Sequence, residues 1–538
     1  MKLKKVISLA TAMLMTVSIL AGTGVDKIDV QAADAMNVNA AISGGNVVVN
    51  ASATGAIASD DGTLYLFAEP IYSDSITTEA LATAPAGANA SFSTPLNLNS
   101  ANSRLYSKFY VCAKRGGSFV KLNPGNYITN PEAVATHTAG RLDGRGKKGL
   151  LTAPEKLNSR EFVDLGVKQV LYNIYVGRLL GATENGAYPT INYNYNGKNY
   201  QFNGLCVAEY DNIISTYNNG GCSVTMCLIN GQEWAGRSPQ LVHPLSRGVA
   251  CPCYMYNTAD ASGVETLAAI AAFLGERYSG AHGKVDNWVV GNEVNIKDQW
   301  NYVNIGDLTA YCQEYMEGFR IFYNGIKSKN ANARIYICTE HQWDRNPKGV
   351  FSHDGWDGKD FDATFNAVTS ASGNIDWGLM THPYPVPLTW ATDWNSQFRG
   401  LMTHSPNTAF VSMSNFEVVT DYFSRPEMLA PNGQVRSIIA GCGYTTSQGE
   451  ANARAALVLG YQAAMMNQHV DAFFIAQELD NAASLAQGLA VGLSNPDGSH
   501  KTLYDCYKQL DGPNAAQYQA EALAIRGVGS FGDVISAR

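Results

Sequence analysis

Apolar positions along the chain follow two different rhythms. From about residue 33 to residue 127 they alternate with polar ones in short runs, Asn46–Ala51, Gly62–Phe67, Leu105–Cys112 and Phe119–Leu122, with turn residues between. Period-two alternation without a helical stretch predicts a small all-β sandwich of roughly one hundred residues. Residues 128–149 are polar, Gly-rich and basic (GRLDGRGKKG) and read as a linker and lead-in to a second domain over residues 150–538. There the rhythm changes to strand and helix in alternation, the mark of parallel βα units.

Eight strand-length apolar runs stand in that second part: Val167–Ile174, Ser223–Ile229, Cys253–Tyr256, Val285–Val290, Arg334–Cys338, Asp376–Met380, Arg436–Ala440 and Val470–Ala476. A hairpin at Tyr193–Phe202, turning at Asn196-Gly197, interrupts the first unit. Helical spacing appears near Val207–Tyr217, after Asp260 (Val264, Leu267, Ala271, Leu274), over Leu308–Ile326 and over Gln448–Met466. Eight such units predict an α/β fold, a (β/α)8 TIM barrel, preceded by the sandwich. A chain of 538 residues is long enough for both.

Residues 1–32 read as a signal peptide: Lys2, Lys4 and Lys5, then the apolar stretch Val6–Ala21, then Val30-Gln31-Ala32 as a small-residue cleavage site. The expectation is a secreted bacterial protein, monomeric, with no membrane span. Charged residues are only 16% and the net charge is -8, which argues against a nucleic-acid partner. With 28 Tyr and 8 Trp, the surface suits a neutral polar ligand such as a carbohydrate. The ten Cys residues lie mostly within apolar runs, where they read as small buried hydrophobes with at most one or two bridges. No metal-ligand spacing, phosphate loop or serine-hydrolase elbow is present, so no cofactor and no metal is expected. A loop with Asp354, Asp357 and Asp360 departs from the EF-hand pattern and reads as solvated.

Candidate chemistry concentrates at strand ends. The run Val285–Val290 stops at Gly291, and Asn292-Glu293 follows, so a carboxylate sits on the lip of a buried strand, where barrels of this kind carry their catalytic groups. Three motifs, GNEVN at Gly291–Asn295, HPYP at His382–Pro385 and GYTTS at Gly443–Ser447, resemble in order and spacing the (β/α)8 glycoside hydrolases of clan A. The last four hundred residues or so, from Tyr127-Ile-Thr-Asn-Pro131 to Tyr504–Asp511, also resemble a family of secreted bacterial proteins known as a domain of unknown function. That resemblance implies Glu293 as general acid/base and Asn292 as the neighbour that contacts the sugar. It implies His382 and Tyr384 as pocket residues.

The other strand ends supply further substrate-binding candidates: Asn230, His341, Trp343, Tyr444 and Asp480. Against each stands the plain reading of a packed or hydrogen-bonded structural group.

The seventh strand departs from the clan's pattern. A retaining glycosidase needs a second carboxylate about 5 Å from the first, and Gly441 stands where it is expected. Glu450 lies in the following helix. Three readings follow: a hydrolase whose second acid is Glu340, Glu478 or Asp480; a degenerate barrel that binds glycan without cleaving it; or an acid from elsewhere, such as Glu417, whose position at a helix start is itself explained by the helix dipole. For Glu478 and Asp480 the plain alternative is hydrogen bonding that closes the barrel between its first and eighth strands.

Overall fold

The structure is a computed structural model and describes residues 35–142, 146–345 and 355–538. The leader read at residues 1–32 and Asp354 lie outside the described residues.

Two antiparallel sheets form the N-terminal part. One has the order Asn37–Ser43, Asn46–Ser52, Asn89–Pro95, and the other Ala82–Pro85, Thr63–Glu69, Lys108–Arg115, Ser118–Lys121. In Asn37–Ser43 and Asn46–Ser52 buried and open positions alternate one by one, as period-two patterning requires. Val38, Val47, Val49 and Phe92 from the first sheet and Leu64, Leu66, Phe109 and Val111 from the second share one apolar layer.

The second part is a closed eight-stranded parallel barrel with helices outside it. In chain order its strands are β1 (Lys148–Leu151), β2 (Gln169–Tyr175), β3 (Ser223–Ile229), β4 (Asn287–Val290), β5 (Arg334–Glu340), β6 (Gly378–His382), β7 (Ile438–Cys442) and β8 (Val470–Ile475). Strand β8 pairs with β1 in parallel, Phe474 opposite Gly149, which closes the ring. The fold class read from the sequence is therefore the observed one.

The strand count was met by compensating differences. Cys253–Tyr256 is not a strand: it makes only isolated bridges, with Gly231, Val242 and Tyr302. A four-residue run straight after Pro252, whose amides bond to Asn230 and Tyr302 in neighbouring loops, lies across the barrel's mouth instead of in its wall. The missing member is β1. It is four residues long and opens on a lysine, so it hides in a basic Gly-rich stretch, yet the Lys148 ammonium is buried against Asp511, 2.6 Å away.

Inward-facing residues of successive strands fill the barrel: Leu171, Cys227, Val289, Tyr336, Cys338, Met380, Ile439, Ala472 and Phe474 form a cluster separate from the one between strands and helices. All ten cysteines are free and buried. The two parts are joined by polar contacts under cover. The Lys108 ammonium lies 2.7 Å from Glu317, and Asn324 donates from Nδ2 to the Leu105 carbonyl at 2.9 Å.

Candidate active site

Strand β4 carries the site because of how it ends. Gly291 has φ 80°, and a Cβ there would stand 2.6 Å from Val294 Cγ1, so only glycine turns the chain at this point. Two residues later Glu293 itself sits at φ 42°. A left-handed conformation in a residue with a Cβ costs of order 1–2 kcal/mol. The turn is held on both sides, by Gly291 N–H to Leu228 O at 2.9 Å and by Val294 N–H to Cys338 O at 2.9 Å.

So aimed, Glu293 meets β6. Its Oε1 lies 2.6 Å from Nδ1 of His382, the last residue of that strand. The other ring nitrogen, Nε2, is 3.7 Å from Cys338 Sγ on β5. Burial by itself would lower the proton affinity of His382, but the Cys338 sulfur and the Glu293 carboxylate on its two sides outweigh that and hold the imidazolium well above the usual histidine range. The pair is thus a carboxylate and an imidazolium sharing one proton. Tyr384 stands edge-on to the His382 ring with centroids 6.1 Å apart and is half-buried. Asn292 is half-buried on the same lip, its Oδ1 4.0 Å from Cys338 Sγ.

Glu340 pairs in register with His382 across β5 and β6. It is buried, with Oε1 accepting from Asn295 Nδ2 at 3.2 Å and Oε2 from Gln342 N–H at 2.9 Å, and His341 Nδ1 lies 3.1 Å from Oε2. Burial first, and the charge of Glu293 next, push its pKa up to about 8. Its oxygens are thus engaged by Asn295, Gln342 and His341, and it stands within electrostatic reach of Glu293.

Between the ordinary carboxylate value and about 8 the folded chain keeps a proton on Glu340 that the unfolded chain has released. Stability is therefore lost progressively as pH rises through that window. Glu340→Gln cannot ionise, so its melting temperature should gain on the wild type from about pH 5 to about pH 8. Calorimetric melts across that range measure the difference, and a gap that does not change with pH would refute the assignment.

Gly441 points inward beside His382. A Cβ there would meet Met380 Cε at 3.4 Å, His382 Cδ2 at 3.6 Å and Phe474 Cβ at 3.7 Å, all ordinary contacts. A side chain at this position of the seventh strand would therefore start on the inner face, beside His382.

The remaining candidates stand elsewhere. Glu478 is buried between β8 and β1 and accepts from Ala153 N–H at 2.8 Å, with burial pushing its pKa to about 7. Asp480 is tied to Lys501 Nζ at 2.5 Å and to Gly492 N–H at 2.6 Å. Asn230 donates to the Leu241 carbonyl at 2.9 Å under cover. Trp343 is a core residue, its indole N–H bound to Pro406 O at 3.1 Å and its ring edge-on to Tyr422. Tyr444 turns outward against Gly460 on the helix Glu450–Met465. Glu417 pairs with His404 away from the mouth, and Glu450 accepts from Thr502 N–H at 2.6 Å. Asp357 caps the helix Gly358–Ala371 through Asp360 N–H at 2.9 Å. Among the described residues no group of three His, Cys, Asp or Glu side chains is gathered as a metal would need, and no helix is long and apolar enough to cross a membrane.

Two aromatic residues at the mouth went unassigned in the sequence reading. Tyr175, closing β2, and Trp300, after the Glu293 turn, are half-buried and pack on the interior cluster. Tyr175 falls on the same side of β2 as Leu171, four residues earlier, and that period was the available signal.

Fold and site define a (β/α)8-barrel protein with a carboxylate–imidazolium pair at its C-terminal mouth. The chain belongs to the Family of unknown function (DUF5722), whose model matches residues 141–534. Among solved structures it is similar to a hyperthermophilic beta-glucosidase from Pyrococcus furiosus, at 14% identity, 70% of this chain and 88% of that one covered, with a TM-score of 0.45. It is also similar to a GH5_18 protein from Bifidobacterium longum (12%, 70% and 80%, 0.41) and to an exo-beta-1,4-mannosidase from an Opitutaceae bacterium (14%, 72% and 63%, 0.40). These likenesses concern the barrel and carry no residue or activity across. No curated protein matches the chain.

Proposed function

We propose that this protein is a glycoside hydrolase acting on an oligo- or polysaccharide, exported from a bacterial cell, with Glu293 as its general acid/base. The observation that carries the reading is the Glu293–His382 pair, held at 2.6 Å on a strained turn at the barrel mouth. Strain of this kind persists where the surroundings over-determine a geometry, and such places cluster at sites of chemistry. Asn292 and Tyr384 flank the pair as hydroxyl partners. Tyr175 and Trp300 offer ring faces for pyranose C–H surfaces.

In this mechanism the shared proton passes from His382 Nδ1 through the Glu293 carboxylate to the glycosidic oxygen. The C–O bonding electrons leave with that oxygen. Water adds at the anomeric carbon, and its proton returns to the pair, which ends as it began. One water is consumed and two sugars are released.

Gly441 favours a second reading, a barrel that binds glycan without cleaving it, because no residue of β7 supplies a carboxylate nucleophile. A panel of plant and microbial glycans incubated with the mature chain separates the two. Product release, with the anomer resolved by NMR, supports the hydrolase, and inert incubations in which one glycan still raises the melting temperature support the binder.

Gly441→Glu tests the seventh strand directly. The new side chain starts at ordinary contact distances and leads into the mouth beside a cation. Hydrolysis with retention at the anomeric carbon should rise about tenfold or more, which corresponds to ~1.4 kcal/mol off the activation barrier. A glycosyl-enzyme adduct should be trapped on residue 441 and seen by mass spectrometry. A folded variant with an unchanged rate and no adduct would mean that the position is not that of a lost nucleophile.

A further inference from the structure

A pocket of about 300 Å³ lies outside the barrel mouth, between the segment that follows β6 and the helix Glu450–Met465, with the last residues of the chain along one side. It shares no residue with the Glu293–His382 pair. Tyr444 lines this pocket and not the mouth.

Its charges are unevenly matched. The two acids on its wall are already engaged: Asp393 accepts from Ser412 Oγ at 2.5 Å and from Ser414 Oγ at 2.9 Å, and Asp533 accepts from Ser530 N–H at 2.8 Å and Gly529 N–H at 3.1 Å. The donors are not. The Arg526 guanidinium lies over the Trp394 ring, 5.3 Å from its centre; the charge of Asp393 reaches it, but among the described residues neither it nor Arg399 is hydrogen-bonded to a carboxylate. Among the described residues the one side-chain hydrogen bond of Arg399 is a long one, from Nη1 to Ser396 O at 3.4 Å. The Trp394 indole N–H is buried with no acceptor. A buried donor without a partner costs about 1–3 kcal/mol, and a ligand that accepts from it removes that cost.

Two guanidinium forks with no hydrogen-bonded carboxylate and an indole N–H without an acceptor call for an anion, and a guanidinium fork fits a carboxylate. The rest of the wall alternates apolar and polar groups: Met402, Met413 and Leu459 beside Ser412 and Tyr444. Such a lining suits a ring with one C–H face and one hydroxyl edge. The volume stands at the small end of ligand pockets, which run from about 300 to 1,000 Å³, and so fits one ring and not a chain.

We propose that this pocket binds an acidic sugar residue, a hexuronate, with its carboxylate on Arg526 and Arg399 and the Trp394 N–H as a further donor.

Titration calorimetry on the full chain at low salt, with D-glucuronate, D-glucose and propionate as probes, tests this. D-glucuronate should bind saturably, and D-glucose and propionate at least tenfold more weakly. Arg526→Gln should weaken D-glucuronate at least tenfold, Arg526→Lys less so, and Trp394→Phe a few-fold, while Glu293→Gln binds as the wild type does. Should Arg526→Gln fail to fold, Arg399→Gln at an exposed position replaces it. Equal binding of D-glucose or propionate, undiminished binding in both arginine variants, or loss of binding in Glu293→Gln would each overturn the proposal. The last outcome would place the sugar at the mouth and leave the hydrolase reading standing.

Discussion

Glu293→Gln lowers glycan hydrolysis by a factor of about 10² to 10⁴, the usual contribution of a positioned proton-transfer group. Gln keeps the size of the side chain and can still accept from His382, so what is lost is the charge and with it the proton relay. The histidine reports the loss. In the wild type the carboxylate 2.6 Å away is among the groups that hold His382 protonated well above its ordinary range. Without that charge the NMR titration of His382 should move downward.

The sign of the pH dependence follows. A histidine whose folded-state pKa is raised contributes stability that is full below the unfolded value near 6.5 and is lost as pH rises through the folded value. Activity that uses the shared proton should fall along the same alkaline limb. The strained turn adds a second arm: Glu293→Gly relieves φ 42° but strips His382 of its carboxylate, so it should be equally inactive and gain no stability from the relieved turn. A Glu293→Gln or Glu293→Gly enzyme with near wild-type rates would remove the case for chemistry at this turn.

How much of this was legible in the sequence depends on the range of the interaction. The lip of β4 was, because an apolar run, a glycine and a carboxylate follow one another in nine residues. The glycine that the seventh strand turns inward was, because one residue at one position decides it. The Glu293–His382 contact was not derivable from the residues alone: it joins strands that are not neighbours, 89 positions apart in the chain. Strand-end residues were the other difficulty. Side chains alternate faces with period two, so an error of one residue in where a strand stops turns a mouth residue into an outer one. Tyr444 is the example: Gly441 on β7 faces inward, and three residues on the chain has turned outward to the helix. Lys148 shows a third limit, since a buried lysine at the start of a four-residue strand looks from its neighbours like linker.

Asp480 and Lys501 should behave as a structural pair, and a double-mutant cycle can show it. Both side chains are almost wholly buried, 1% and 4% exposed, with Oδ2 and Nζ 2.5 Å apart. Lys501→Met leaves a buried carboxylate with only the Gly492 amide at 2.6 Å for a partner, and Asp480→Asn leaves a buried ammonium with only neutral acceptors, the Thr446 hydroxyl at 3.3 Å and the Ala490 carbonyl at 3.1 Å beside the new amide. Each single change should cost about 3–5 kcal/mol, since an ion stripped of its partner under cover keeps its full desolvation penalty. The double variant should lose far less than the sum, because both charges then leave together. Denaturant unfolding of the four chains measures the coupling. Glycan affinity of the Asp480→Asn/Lys501→Met chain should match the wild type, for the pair joins the segment after β8 to the start of the helix Thr502–Lys508 and has no free oxygen to offer a sugar. Additive losses, or a glycan affinity that falls with Asp480, would return this residue to the site from which its hydrogen bonds exclude it.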